Sequence, residues 1–95
     1  MMKIIWAPEA LDDLASILDY TAEHDPQAAQ RVVRRIFTAV EMLRGSPEVG
    51  RPGRVLGTRE LVVTSTPYVV PYRVLRDALQ ILRVYHGARR WPDRL

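Results

Sequence analysis

The sequence predicts an α+β fold: an N-terminal strand, an antiparallel helix hairpin and a three-stranded antiparallel meander, in the order β-α-α-β-β-β. Two changes of pattern predict it. Apolar residues recur at three- and four-residue spacing between positions 10 and 43, and from position 59 they give way to runs rich in Val, Ile, Tyr and Leu. Between these regions Pro47, Gly50, Pro52 and Gly53 interrupt both periodicities, so residues 46–53 read as a loop.

The short β-branched run from Lys3 to Trp6 reads as the opening strand, with Trp6 in the core. Pro8 suits the first turn of a helix, because its missing N–H would have no partner there. Ala10, Leu11, Leu14, Ile17, Leu18 and Thr21 then repeat at helical spacing up to about Glu23, with Glu9, Asp12, Asp13 and Asp19 on other faces. Asp25-Pro26 supplies an N-cap and a proline at the first helical position. Ala29, Val32, Val33, Ile36, Phe37, Val40 and Leu43 form the stripe of a second helix that ends at Gly45. So short a connection makes the helices antiparallel, with both stripes turned toward a common sheet. Beyond the loop, residues 59–64, 68–75 and 79–86 read as strands, separated by Ser65-Thr66-Pro67 and Arg76-Asp77-Ala78. Pro71 removes a backbone donor inside the second of these, which places it at a bulge or an edge.

The 95 residues bound a single domain, and 47% hydrophobic with 26% charged residues is a globular composition. No apolar tract is long enough to cross a bilayer, and the start of the chain lacks the hydrophobic region of a secretory signal. A cytoplasmic protein with no membrane partner is expected. The absence of cysteine excludes disulfides, thiolate metal sites and thiol nucleophiles, and His24 and His86 lie far apart, so neither metal nor other cofactor is expected. Charge separates the halves: residues 1–50 carry five basic and eight acidic side chains, whereas residues 51–95 carry nine arginines against Glu60, Asp77 and Asp93. Arginine favours bidentate contacts with phosphate or carboxylate, so an anionic partner is expected at the second half.

Several segments together resemble the RelE/ParE toxins of type II toxin-antitoxin systems, on the ParE side. They are Asp13-Leu14, the loop Pro47-Glu48-Val49-Gly50-Arg51, Gly57-Thr58-Arg59-Glu60-Leu61, Pro67-Tyr68-Val69-Val70, Tyr72-Arg73-Val74, and the run from Ile81 through Arg83, Tyr85, His86, Arg89 and Arg90 to Trp91-Pro92. The resemblance spans nearly the whole chain and implies a cognate antitoxin, with a hetero-oligomer of the two. It also implies one of two targets: DNA gyrase for ParE-like members, or the ribosome and its mRNA for RelE-like members, which are metal-independent endoribonucleases. One scaffold serves both. RelE-like members place an arginine just after the aromatic that opens the third strand, where this sequence has Val69, and they present a tyrosine on a C-terminal helix for which Leu95 leaves no room. Both departures favour the gyrase-directed reading. A non-toxic basic interaction module is a third reading, favoured if the sheet face is uniformly apolar.

Arg59, Arg73, Arg83, Tyr85, Arg89, Arg90 and Trp91 are the candidate target- or antitoxin-binding residues, and Arg73, Arg83, His86 and Arg89 would be catalytic in the nuclease reading. The plainer alternative for Arg73 and Arg83 is an ion pair, across strands or to a helix acid, and Arg59 beside Glu60 has a similar one. His86 suits proton transfer by its ordinary pKa, yet a lone histidine ending a strand is more often a hydrogen-bonded structural residue. His24 is expected in solvent, and Trp91 is expected to pack the tail back onto the domain. Whether Arg73 and Arg83 share a face depends on the register around Asp77.

Overall fold

A computed structural model describes residues 2–88, Trp91 and Leu95. The order is β1 (Lys3–Trp6), α1 (Pro8–Ala22), α2 (Pro26–Met42), β2 (Arg51–Pro52), β3 (Arg59–Val62), β4 (Tyr68–Val74), β5 (Ala78–Ile81) and β6 (Tyr85–His86). Both helices begin with proline at the first helical position, and the Asp25 side chain accepts from Gln27 N and Ala28 N, each at 3.1 Å, to cap α2. The sheet runs β1-β5-β4-β3-β2, with β6 also paired to β4. β1 lies parallel to β5, Lys3 opposite Ala78, while the remaining pairs are antiparallel. Trp6 is half-buried instead of enclosed in the core, because β1 forms one end of this sheet and Trp6 packs on Phe37 with ring centroids 5.0 Å apart.

The helices cover one face of the sheet. Leu14, Ile17, Ile36, Val40 and Leu43 meet Val63, Val70, Tyr72, Leu79 and Ile81 in one buried cluster. Tyr72 is fully buried, and its hydroxyl donates to Pro47 O at 2.8 Å and accepts from Gly50 N at 2.9 Å. These bonds seat the 47–50 loop on the core, and burial pushes the Tyr72 phenol above its ordinary pKa. A Cβ at Gly50 would lie 2.6 Å from the Tyr72 ring, so this close approach requires glycine. The helical stripes are only partly buried: Leu11, Leu18 and Phe37 remain 48%, 39% and 41% exposed.

The region expected to be one strand over residues 79–86 is two strands. Tyr72 pairs with Ile81 and Val69 with Tyr85, so Val70 and Pro71 on β4 stand opposite the longer run of Leu82, Arg83 and Val84. The Pro71 carbonyl accepts from Leu82 N at 3.0 Å, which shows that Pro71 turns its backbone groups toward this side, where its missing N–H leaves the ladder incomplete. A bulge absorbs the mismatch. The loop over 46–53 also contains the two-residue β2, where Arg51 stands opposite Glu60.

Candidate functional site

The bulge turns Arg83 out of the ladder toward α1. Its Nε and Nη2 donate to the two carboxylate oxygens of Asp13 at 2.8 and 3.0 Å, and the Val84 N–H donates to Asp13 Oδ2 at 2.9 Å. This bidentate pair fixes the sheet exit to the first helix. Hydrogen bonding to Asp13 raises the Arg83 pKa against the opposing effect of burial, so the guanidinium is a permanent cation.

From Arg83 a row of rings and charges crosses to the 50s loop. The Arg83 guanidinium carbon stands 4.7 Å from the Tyr85 ring centroid, Tyr85 and Trp91 have centroids 4.9 Å apart, and Arg54 lies 3.8 Å over Trp91. Glu60, only 2% exposed, closes the row: its Oε1 accepts from Arg51 Nε at 3.1 Å and Nη2 at 3.0 Å, and its Oε2 accepts from Arg54 N at 2.8 Å. Among the described residues the buried Trp91 indole N–H has no acceptor, and the contacts that hold Trp91 in this row are those of its ring.

On the helix side of the exit, Asp13, Ser16, Tyr20, Tyr68, Arg83 and His86 line an open hollow of about 710 Å³. His86 Nδ1 accepts from Ala88 N at 3.1 Å, which assigns the proton of the neutral ring to Nε2. The ring stands edge-on to Tyr68 with centroids 5.8 Å apart, and burial raises the Tyr68 pKa, with the charge of Tyr20 adding to the shift.

The sequence candidates are therefore dispersed. Arg83 and Tyr85 meet in the row with Trp91, and His86 borders the hollow beside Arg83. Arg59 is separate: it donates to Glu48 O at 3.1 Å and Gly50 O at 2.8 Å, and Glu60 instead bonds Arg51 and Arg54. Arg73 stands opposite Gln80 one residue after the buried Tyr72, which places it on the outer face of the sheet. Among the described residues Arg73 has no ion-pair partner. His24 is exposed and its ring meets Tyr20 edge-on. Arg89 and Arg90, also candidates, lie outside the described residues. The ion pair to a helix acid that the sequence offered for Arg83 is present, with Asp13 of α1 as its partner, whereas Arg73 makes none among the described residues; sequence reasoning passed over the Glu60 pairs with Arg51 and Arg54. One signal was available for these pairs: Glu60 is one of only three acids after position 50, and three arginines, Arg51, Arg54 and Arg59, precede it within ten residues.

Comparison with known proteins places this geometry in a family. The sequence model of the ParE toxin of the type II toxin-antitoxin system parDE matches residues 4–91. The chain belongs to the ParE toxin family. It is thus a toxin of a type II toxin-antitoxin system in the RelE/ParE superfamily, which implies an antitoxin partner. The toxin is 48% identical over 91 residues to Y4kP of Sinorhizobium fredii, a protein described as a toxin, covering 96% of this chain and 94% of the relative. It is 42% identical to Toxin RelE2 of Caulobacter vibrioides, covering 94% and 99%. A solved structure of the chromosomal ParDE system from P. aeruginosa superposes with TM-score 0.76 at 33% identity, over 90% of this toxin and 96% of that chain.

Proposed function

We propose that the toxin arrests growth by engaging DNA gyrase and does not cut mRNA. The observation that carries this reading is the divergence of its two sheet arginines: Arg73 leaves on the outer face, whereas Arg83 turns to α1 and spends its bidentate edge on Asp13. A metal-independent nuclease needs cations converging on one phosphate, and loss of one such group typically costs on the order of 10² to 10³ in rate. Val69 adds to the argument, since it stands where the nucleases of the superfamily place an arginine and is only 5% exposed, opposite Tyr85. Arg73 is a cation open to a target on the outer face, and Arg73→Ala is expected to weaken gyrase inhibition while leaving the helices folded. The deciding experiment assays the toxin, freed of antitoxin, for gyrase supercoiling and ribosome-primed mRNA cleavage side by side. Loss of supercoiling with intact message is expected. Site-specific message cuts with normal supercoiling would overturn the reading.

One observation favours the nuclease alternative. His86 and Tyr68 flank the same hollow as Arg83, and the Nε2 proton of His86 is not committed to the backbone. That reading predicts message cleavage abolished by His86→Ala.

A further inference from the structure

The outward side of the helix hairpin carries its charge in two separate strips. Asp12, Ser16, Asp19 and Glu23 follow one line of α1 and its C-cap, and Gln27, Arg31, Arg34 and Thr38 follow one line of α2 with the same four-three-four spacing. All eight residues are exposed. Asp12, Asp19, Glu23, Arg31 and Arg34 have no ion-pair partner among the described residues, whereas Arg44, Arg51, Arg54 and Arg83 each have one. Between the strips runs an apolar seam with Leu11, Leu18 and Phe37 exposed along it. A hollow of about 400 Å³ lies in this seam, lined by Leu18, Val33, Arg34 and Phe37.

The pattern of signs selects the partner. A polyanion drawn to Arg31 and Arg34 would also meet the acids of α1, a helix with no basic residue at all. An acidic peptide would complement the α2 strip alone. A second copy of this chain complements both, provided the two-fold axis runs parallel to the hairpin: α1 of one copy then lies over α2 of the other, and seam meets seam. The perpendicular two-fold axis lying in the contact plane would set acid on acid. We propose that this toxin self-associates through its helix hairpin as an antiparallel four-helix layer, with Asp19 facing Arg31 and Asp12 within about one helical turn (~5.4 Å) of Arg34 across the axis. The second copy's Leu18 arrives at the height of the hollow and fills it. Two helices of this length offer a contact near the small end of specific interfaces, so the dimer is weak and salt-sensitive. The inference does not depend on which target the toxin engages.

The test is sedimentation of the full-length toxin, free of antitoxin, at low and high salt, with far-UV circular dichroism confirming the fold of each variant. A concentration-dependent dimer that dissociates as salt rises is expected. Asp19→Arg and Arg31→Asp, each alone, should weaken it by about tenfold or more, because each sets like charges across the axis. Mixed together, the two single variants should associate with one another, since opposite charges then face at both contacts. A toxin that stays monomeric at low salt overturns the proposal, as does a dimer indifferent to both substitutions or a mixture that fails to associate. Substitutions that change only the affinity of a monomeric toxin for its antitoxin would also overturn it and assign the hairpin face to that partner.

Discussion

On its helix-facing side β4 presents Tyr68, Val70, Tyr72 and Val74 to aliphatic side chains, whereas on its outer side Val69 and Pro71 lie against strand partners that carry charge and rings, Tyr85 and Glu60. The first face is closed by area removed from water, which the screening of charge does not weaken. The second is closed by a short sequence of specific pairs, each dependent on its neighbour.

The difference can be broken first at the core. Ile36→Ala is expected to cost about 2–5 kcal/mol in chemical denaturation, with little change in high salt. A loss below about 1 kcal/mol would contradict its full burial. On the outer face, Glu60→Ala should cost about 1–3 kcal/mol, since it removes the acceptor of Arg51 and of the Arg54 backbone. Unlike the core variant, it should depend on ionic strength.

Tyr72 sharpens the comparison, being an apolar ring that ends in a polar group. Tyr72→Phe should cost about 1–2 kcal/mol at neutral pH through the bonds to Pro47 and Gly50. The Tyr72 pKa is raised on folding, so the folded state favours the neutral phenol, and this contribution is present below the ordinary value of 10.0 and lost as pH rises beyond it. The wild type should lose stability more steeply above that pH than the phenylalanine variant, and equal slopes would remove Tyr72 from the explanation. The smallest effect is expected at Trp91. Trp91→Ala should cost on the order of 1 kcal/mol through the lost contacts with Tyr85 and Arg54, and Trp91→Phe still less, because the indole N–H has no acceptor to lose. Thermal melts of the two variants that coincide would show that the ring contacts contribute nothing.

Helix positions were legible in the sequence because proline, the Asp25 cap and a 3.6-residue repeat are local signals, and the family resemblance likewise rested on consecutive residues. The break between Ile81 and Tyr85 was half legible: Pro71 announced a fault, but which partner strand absorbs it depends on pairing. Arg83 and Asp13 lie seventy positions apart, and no periodicity links them. The row through Tyr85, Trp91 and Arg54 was hidden for the same reason, since cation and ring contacts leave no spacing rule in the chain. Exposure of Leu11, Leu18 and Phe37 was invisible because an apolar stripe reads alike whether its rim faces the sheet or solvent.

The parallel pairing of β1 with β5 has a kinetic consequence. Lys3 must wait for Ala78 before its strand has a neighbour, so one of the first segments synthesised is among the last to find its place. The helix hairpin, whose contacts are local, can form well before that. Until residue 78 has been synthesised, the first strand of a nascent chain has no β5 to pair with and the Arg83 exit is not yet built. Pulse-labelling hydrogen exchange during refolding should find α1 and α2 amides protected before those of β1, and simultaneous protection would show instead that the sheet closes in one step with the helices. Any surface that needs the completed sheet is therefore the last to become available.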